Sequence, residues 1–111
     1  IRVPIPENNL KHAWYKFYCY LNLGRLKRSW NRTKIIEEIN NLGYPAFSGS
    51  CSEIYLEECF LKSNLGPKQR LQNSIILGET SLMFLVDHSI DEEQMESYAF
   101  AIKKVLELSV K

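Results

Sequence analysis

The sequence predicts a single α+β domain: a small, mainly antiparallel sheet with helices on one face. Three observations carry this. An aromatic segment near the start alternates with the period of a strand, two capped segments repeat their apolar residues with the period of a helix, and an apolar run of strand length lies between those helices. With 111 residues, 45% hydrophobic and 24% charged, the chain has the composition of one ordinary globular domain.

Ile1 to Leu10 holds Pro4 and Pro6, neither of which can donate to a sheet ladder, and reads as an extended linker arriving from a missing N-terminal domain. The domain proper is expected over 11–111. The only methionines are Met83 and Met95, so the sequence reads as a piece of a longer chain. Lys11 to Leu21 predicts a long strand. Ala13, Tyr15, Phe17, Cys19 and Leu21 share its helix-covered face, and His12, Trp14, Lys16, Tyr18 and Tyr20 share the other. That second face, with Trp14, Tyr18 and Tyr20, is expected to stand open in the isolated domain and to drive self-association. Asn22-Leu23-Gly24 makes a turn, and Arg25 to Trp30 a solvated basic loop.

Asn31 caps a helix whose stripe is Ile35, Ile36, Ile39 and Leu42, and Gly43 supplies the left-handed residue that ends it. Pro45 to Phe47 is short and extended. Ser48 to Ser52 is a run of small side chains, Glu53 to Phe60 a short helical turn, and Leu61 to Pro67 a loop. Lys68 to Leu77 carries a moderate helical stripe that Gly78 interrupts, and Thr80 to Val86 is the apolar strand. Asp91 with Gln94 forms a capping box, with Ile90 placed to staple onto Met95, ahead of a long helix lined by Met95, Tyr98, Ala99, Ile102, Val105 and Leu106.

Several function classes fall away on composition. Fourteen Lys plus Arg against thirteen Asp plus Glu leave a formal charge of +1, so the basic excess of a nucleic-acid footprint is missing. No segment approaches the roughly twenty apolar residues of a membrane helix, and there is no signal-peptide pattern at the start. Cys19, Cys51 and Cys59 with His12 and His88 lack metal-ligand spacing and read as reduced thiols of a cytoplasmic protein. No nucleophile elbow, Walker loop or dinucleotide fingerprint occurs, although a Ser/His/Asp set can be composed on paper from Ser50, His12 or His88 and Asp87 or Asp91. What chemistry the residues do suggest gathers in Ser48-Gly49-Ser50-Cys51-Ser52, whose hydroxyls and backbone N–H groups suit an anionic ligand as well as they suit a tight polar turn. Glu53 and Tyr55 follow directly and suit sugar hydroxyls.

The order His12-Ala13-Trp14-Tyr15-Lys16-Phe17-Tyr18, a capped helix ending in Leu42-Gly43, Pro45-Ala46-Phe47-Ser48, then Leu82 to His88 and a final helix resembles the small C-terminal domain of the DegT/DnrJ/StrS family, the pyridoxal-phosphate-dependent nucleotide-sugar aminotransferases. The likeness spans nearly the whole chain, and the Phe47 to Tyr55 stretch marks a divergent subgroup. The resemblance implies a fold-type-I homodimer whose large N-terminal domain holds pyridoxal phosphate (PLP), none being bound by this fragment, and which passes an amino group, commonly from glutamate, to a keto-sugar nucleotide in surface polysaccharide or related sugar biosynthesis. It implies that none of Lys11, Lys16, Lys34, Lys62 or Lys68 is the Schiff-base lysine, that the fragment alone is inactive, and that its role is to complete the substrate cleft and domain interface. By position, Ser48, Gly49, Ser50, Glu53 and Tyr55 form the sugar-facing wall, with His12 and Tyr15 as further candidates whose plainer role is interdomain packing. The competing reading is a non-catalytic α+β ligand-binding or protein-interaction module. Its support is the basic and aromatic interleaving around Lys11 to Lys16 and Arg25 to Trp30, without the spacing of an RNA-binding sheet.

Overall fold

The computed structural model describes all residues, Ile1–Lys111. Three strands, β1 (Lys16–Tyr20), β2 (Ala46–Phe47) and β3 (Ser81–Leu85), and four helices, α1 (Arg32–Asn41), α2 (Glu58–Ser63), α3 (Gln72–Thr80) and α4 (Glu92–Ser109), follow the predicted order. The sheet order is β1-β3-β2, antiparallel throughout, with Phe17 opposite Phe84, Cys19 opposite Leu82 and Ala46 opposite Phe84. Opposed residues project to the same face. Phe17, Cys19, Ala46, Leu82 and Phe84 therefore point one way, and Tyr18, Tyr20, Phe47, Ser81 and Met83 the other.

The first face carries the core. Ile35 and Ile39 of α1 are wholly buried there, beside Tyr98 and Val105 of α4, and each such side chain contributes about 1.5–3 kcal/mol of hydrophobic stabilisation. Burial drives the Cys19 thiol up to about 11, which keeps it protonated and inert. Both helices start as the sequence requires. Asn31 accepts from the Lys34 N–H at 2.9 Å, and Asp91 and Gln94 satisfy each other's backbone N–H groups in a capping box. Gly43 ends α1 at φ +88°.

Several expectations are corrected. The first strand begins only at Lys16, because Trp14 sits at φ +49° with its N–H donated to His12 Nδ1, a kink that a strand ladder does not accommodate. That kink also turns Trp14 toward the helix side, where its ring meets Phe17 edge-on at 5.0 Å, and away from Tyr18 and Tyr20. The loop expected to run from Leu61 instead starts after Ser63, and Asn64 at φ +53° ends α2. α3 runs through Gly78 and does not break there. The second sheet face is not left open: Ser81 and Met83 are buried and Tyr18 and Tyr20 half-buried. The chain's own Ser48-Gly49-Ser50 segment lies against Tyr18 and Ser81. Cover on both sides explains why β3 reads as an unbroken apolar run.

The basic loop after β1 is less solvated than expected: Leu26 is buried and makes an isolated bridge with Val110, and Trp30 packs half-buried against the core with Lys34 Nζ 4.8 Å from its ring centre. Near the start, Arg2 exchanges two backbone hydrogen bonds with Tyr20 and lays its guanidinium 4.4 Å from that ring's centre. No helix is long and apolar enough to cross a membrane.

Candidate functional site

The small-residue segment leaves β2 directly, so its position follows from the Ala46 and Phe47 pairing with β3. Asn40, in the last turn of α1, holds that strand in place by donating to the Ala46 carbonyl and accepting from the Ala46 N–H, both at 3.0 Å. Ser48 then gives its carbonyl to Ser81 Oγ at 2.5 Å. Gly49 follows at φ +99°, over the Tyr18 ring. A Cβ there would lie 2.7 Å from Tyr18 Cε1, so both the backbone angle and the close approach demand glycine. Ser50 Oγ and the Tyr18 hydroxyl share a hydrogen bond of 2.9 Å.

The far end of the segment is fastened to α3 and the loop before it. Ser52 packs onto the face of α3 at Gly78, where any Cβ would collide with the serine side chain, and Arg32 of α1 donates to the Gly78 carbonyl. Glu53, with its side chain only 15% exposed, receives both arms of Arg70, Nε to Oε1 at 2.9 Å and Nη2 to Oε2 at 2.5 Å. The Tyr55 hydroxyl donates to the same Oε1 at 2.6 Å and accepts from the Leu71 N–H at 3.0 Å. A bidentate guanidinium and a phenol on one carboxylate form a charge-assisted network. The Arg70 bonds, followed by the Tyr55 bond, hold the Glu53 carboxyl down at about 2, well below its ordinary 4.5. In return Glu53 pushes the Arg70 guanidinium up, while burial and the Glu53 bond push the Tyr55 phenol up.

Of the seven residues the sequence singled out, five come together: Ser48, Gly49, Ser50, Glu53 and Tyr55 form one loop pinned at both ends. The pinning decides what each can offer. Glu53 and Tyr55 spend their side-chain bonds on Arg70 and Leu71, whereas Ser50 keeps spare hydroxyl capacity. The N–H groups of Gly49, Ser50, Cys51, Ser52 and Glu53 donate to no backbone carbonyl. His12 and Tyr15 stand apart. The His12 ring lies against Trp14, tilted by 33° with centres 4.2 Å apart, and Tyr15 is 81% exposed with Lys16 Nζ 5.5 Å from its ring centre.

Sequence reasoning missed three partners of this loop: Tyr18 as its support, Arg70 as its anchor and Gly78 as its landing point. Arg70 lies 17 residues from Glu53 in an unremarkable polar stretch, so no local pattern announces it. Gly78 did stand out, and the signal was its presence inside a helical stripe, which marks close approach as readily as a break.

A second feature of the surface is an apolar groove of about 740 Å³ between β1 and α4, lined by hydrophobic residues at 13 of 15 positions, Trp14, Phe17 and Ile102 among them.

No family model and no curated protein matches the chain. Among solved structures it is similar to the X-ray structure of an aminotransferase from Psychrobacter cryohalolentis, with 45% sequence identity over 89% of this chain and a TM-score of 0.83. The chain spans about a quarter, 25%, of the length of that aminotransferase. The α+β fold is thus that of one part of a longer enzyme.

Proposed function

We propose that this chain is the small C-terminal domain of a PLP-dependent aminotransferase of the DegT/DnrJ/StrS type, with 1–10 as the linker from a large N-terminal domain and 11–111 as the small domain. The observation that carries the reading is the 45% identity, at a TM-score of 0.83, to a quarter of an aminotransferase chain. The order of motifs from His12 to the final helix supports the sugar-nucleotide class. The amino group passes from an amino acid, glutamate in this reading, to a keto-sugar nucleotide, and the working unit is a cytoplasmic homodimer.

The residues of this chain do not fit PLP by themselves. Every lysine lies at the surface, exposed or half-buried, and the groove between β1 and α4 is apolar, with Lys103 at its rim turned to Glu107 at 3.9 Å. PLP belongs to the large domain in this reading, where it supplies the electron sink for amino transfer. No step of that chemistry is assigned to a residue here, and the chain on its own is inactive.

What this chain's residues do is shape and position. The Ser48 to Tyr55 loop forms the sugar-facing wall. Ser50 and the free N–H groups of Gly49 to Ser52 offer donors to hydroxyl or phosphate oxygens, Ser48 and Gly49 set their placement, and Glu53 and Tyr55 keep the wall from yielding when a ligand presses on it. His12 and Tyr15, far more exposed, serve the domain boundary. The test is transfer of label: the full-length polypeptide is supplied with PLP, [¹⁵N]glutamate and a panel of nucleotide keto-sugars, and the sugars are weighed by mass spectrometry. Label in a sugar supports the proposal. Label only in other amino acids narrows it to an aminotransferase of a different substrate class, and no transfer at all contradicts it.

A further inference from the structure

Between Glu53 and Arg70 the chain makes an excursion that the core does not hold. From Ile54 to Arg70 no residue is buried, and only Tyr55 and Phe60 are half-buried. The backbone hydrogen bonds donated by Leu56 to Leu65 end on carbonyls of the same stretch, from Leu56 on Glu53 to Leu65 on Phe60. Gly66 then folds back on Tyr55, where a Cβ would stand 3.4 Å from the Tyr55 carbonyl oxygen. Side-chain ties to the rest of the domain gather at the neck: Arg70 grips Glu53, the Tyr55 hydroxyl takes the Leu71 N–H, and Glu57 Oε1 accepts from Cys51 Sγ at 3.6 Å. Close ends and self-contained packing are the marks of an Ω-loop. With little apolar burial to offset the chain entropy of ordering it, the loop depends on the bonds that close its neck.

We infer that the excursion from Ile54 to Pro67 is a strap that orders and disorders as one unit, that the Glu53–Arg70 ion pair is its latch, and that the latch decides whether the far end of the Ser48 to Ser52 segment is held. Glu53 makes the connection, since it is at once the first post of the strap and the residue that ends the serine segment. Latched, it keeps Ser52 against Gly78 of α3, where a Cβ on the glycine would meet the serine side chain. Unlatched, Ser52 is free to step away from the helix. The bidentate geometry suits a latch: two charge-assisted bonds form or break together, and with Arg70 57% exposed the pair reforms from water without rearranging the core. The device does not depend on which reaction the whole polypeptide performs.

Amide hydrogen exchange in the full-length polypeptide tests it. The hydrogen-bonded amides of 56–65 are expected to exchange at least about a hundredfold faster than those of α1 and α4, which open only with the core. Arg70→Gln raises exchange across 56–65 together by about tenfold or more, the loss of bonds to a charged group, and leaves α1 and α4 unchanged. Tyr55→Phe, which keeps the ring and removes its two hydroxyl bonds, acts in the same direction. Lys62→Gln, which breaks only the exposed Lys62–Glu58 pair inside the strap, changes the rate by about twofold or less. Gly78→Ala reads the hold on Ser52: it speeds exchange in α3 of the wild type and does so at least about threefold less in the R70Q background. Exchange of 56–65 as slow as that of α1, an R70Q profile equal to that of K62Q, or an R70Q effect spread equally over α1 and α4 would overturn the strap and its latch. An equal Gly78→Ala effect in both backgrounds would overturn the hold on the serine segment.

Discussion

Replacing Gly49 by alanine tests the pinned loop at its tightest point. Two independent penalties apply. The backbone sits at φ +99°, where an L side chain costs about 1–2 kcal/mol. The new Cβ would lie 2.7 Å from Tyr18 Cε1 and 3.4 Å from Ser81 Oγ, and forcing a methyl into a packed site costs about 1–3 kcal/mol more. The sum is about 2–5 kcal/mol, which for a domain of this size lowers Tm by about 10 °C or more. Thermal unfolding followed by circular dichroism measures the total, and a second variant separates its parts. In Y18A/G49A the ring is gone, so relative to Y18A alone the added alanine costs only the backbone term of about 1–2 kcal/mol. Alanine at position 49 with wild-type stability would refute the reasoning, as would an undiminished cost in the Tyr18→Ala background, which would mean the ring is not what Gly49 accommodates.

Three further outcomes follow from the same contacts. Glu53 titrates at about 2 in the folded chain against an ordinary 4.5, so its contribution is complete above pH 4.5 and is lost as pH falls toward 2. Glu53→Gln therefore flattens the acid limb of the stability curve in that window, measured by urea unfolding at successive pH values, and an unchanged limb would contradict the clamp. Gly78→Ala gains about 1 kcal/mol of helix propensity yet destabilises through collision with Ser52. In a Ser52→Gly background the same change becomes stabilising, and a double-mutant cycle reads the reversal of sign. Ile39→Ala, at a position with no exposure, costs about 2–5 kcal/mol by denaturant unfolding, the range for a buried aliphatic side chain.

The elements that were legible in the sequence are those whose cause is local. Asn31 reaches Lys34 and Asp91 reaches Gln94 within one helical turn, and Gly43 needs only its own dihedral angle. The central strand announced itself because two-sided burial leaves an unbroken apolar run. Of the features that were misread, the kink at Trp14 is local, its N–H turned back to His12 and its ring to Phe17 on the helix side, but the strand-like alternation of its neighbours does not display it. The break expected at Gly78 depends on a residue far away in the chain. Gly78 looks like a helix breaker until Ser52, 26 positions earlier, is brought onto it. The same distance rule divides the candidate site. Its loop was visible as a cluster of small polar residues, but the groups that fix it, Tyr18 and Arg70, lie 32 residues from Ser50 and 17 from Glu53, and only the folded chain unites them. The residues Met95, Ala99, Ile102 and Leu106 of α4, which line the apolar groove, were visible as well, merged with the core stripe, because periodicity counts apolar residues without saying what each one meets.

Glutamate alone tests the aminotransferase reading, without knowledge of the acceptor. The full-length polypeptide is purified with PLP, its absorbance recorded, and glutamate added. The expected result is a bound-cofactor band near the visible edge that bleaches as the amino group is taken up, and returns on addition of the corresponding keto acid. A polypeptide that binds no PLP, or whose band ignores glutamate and every other amino acid, would contradict it.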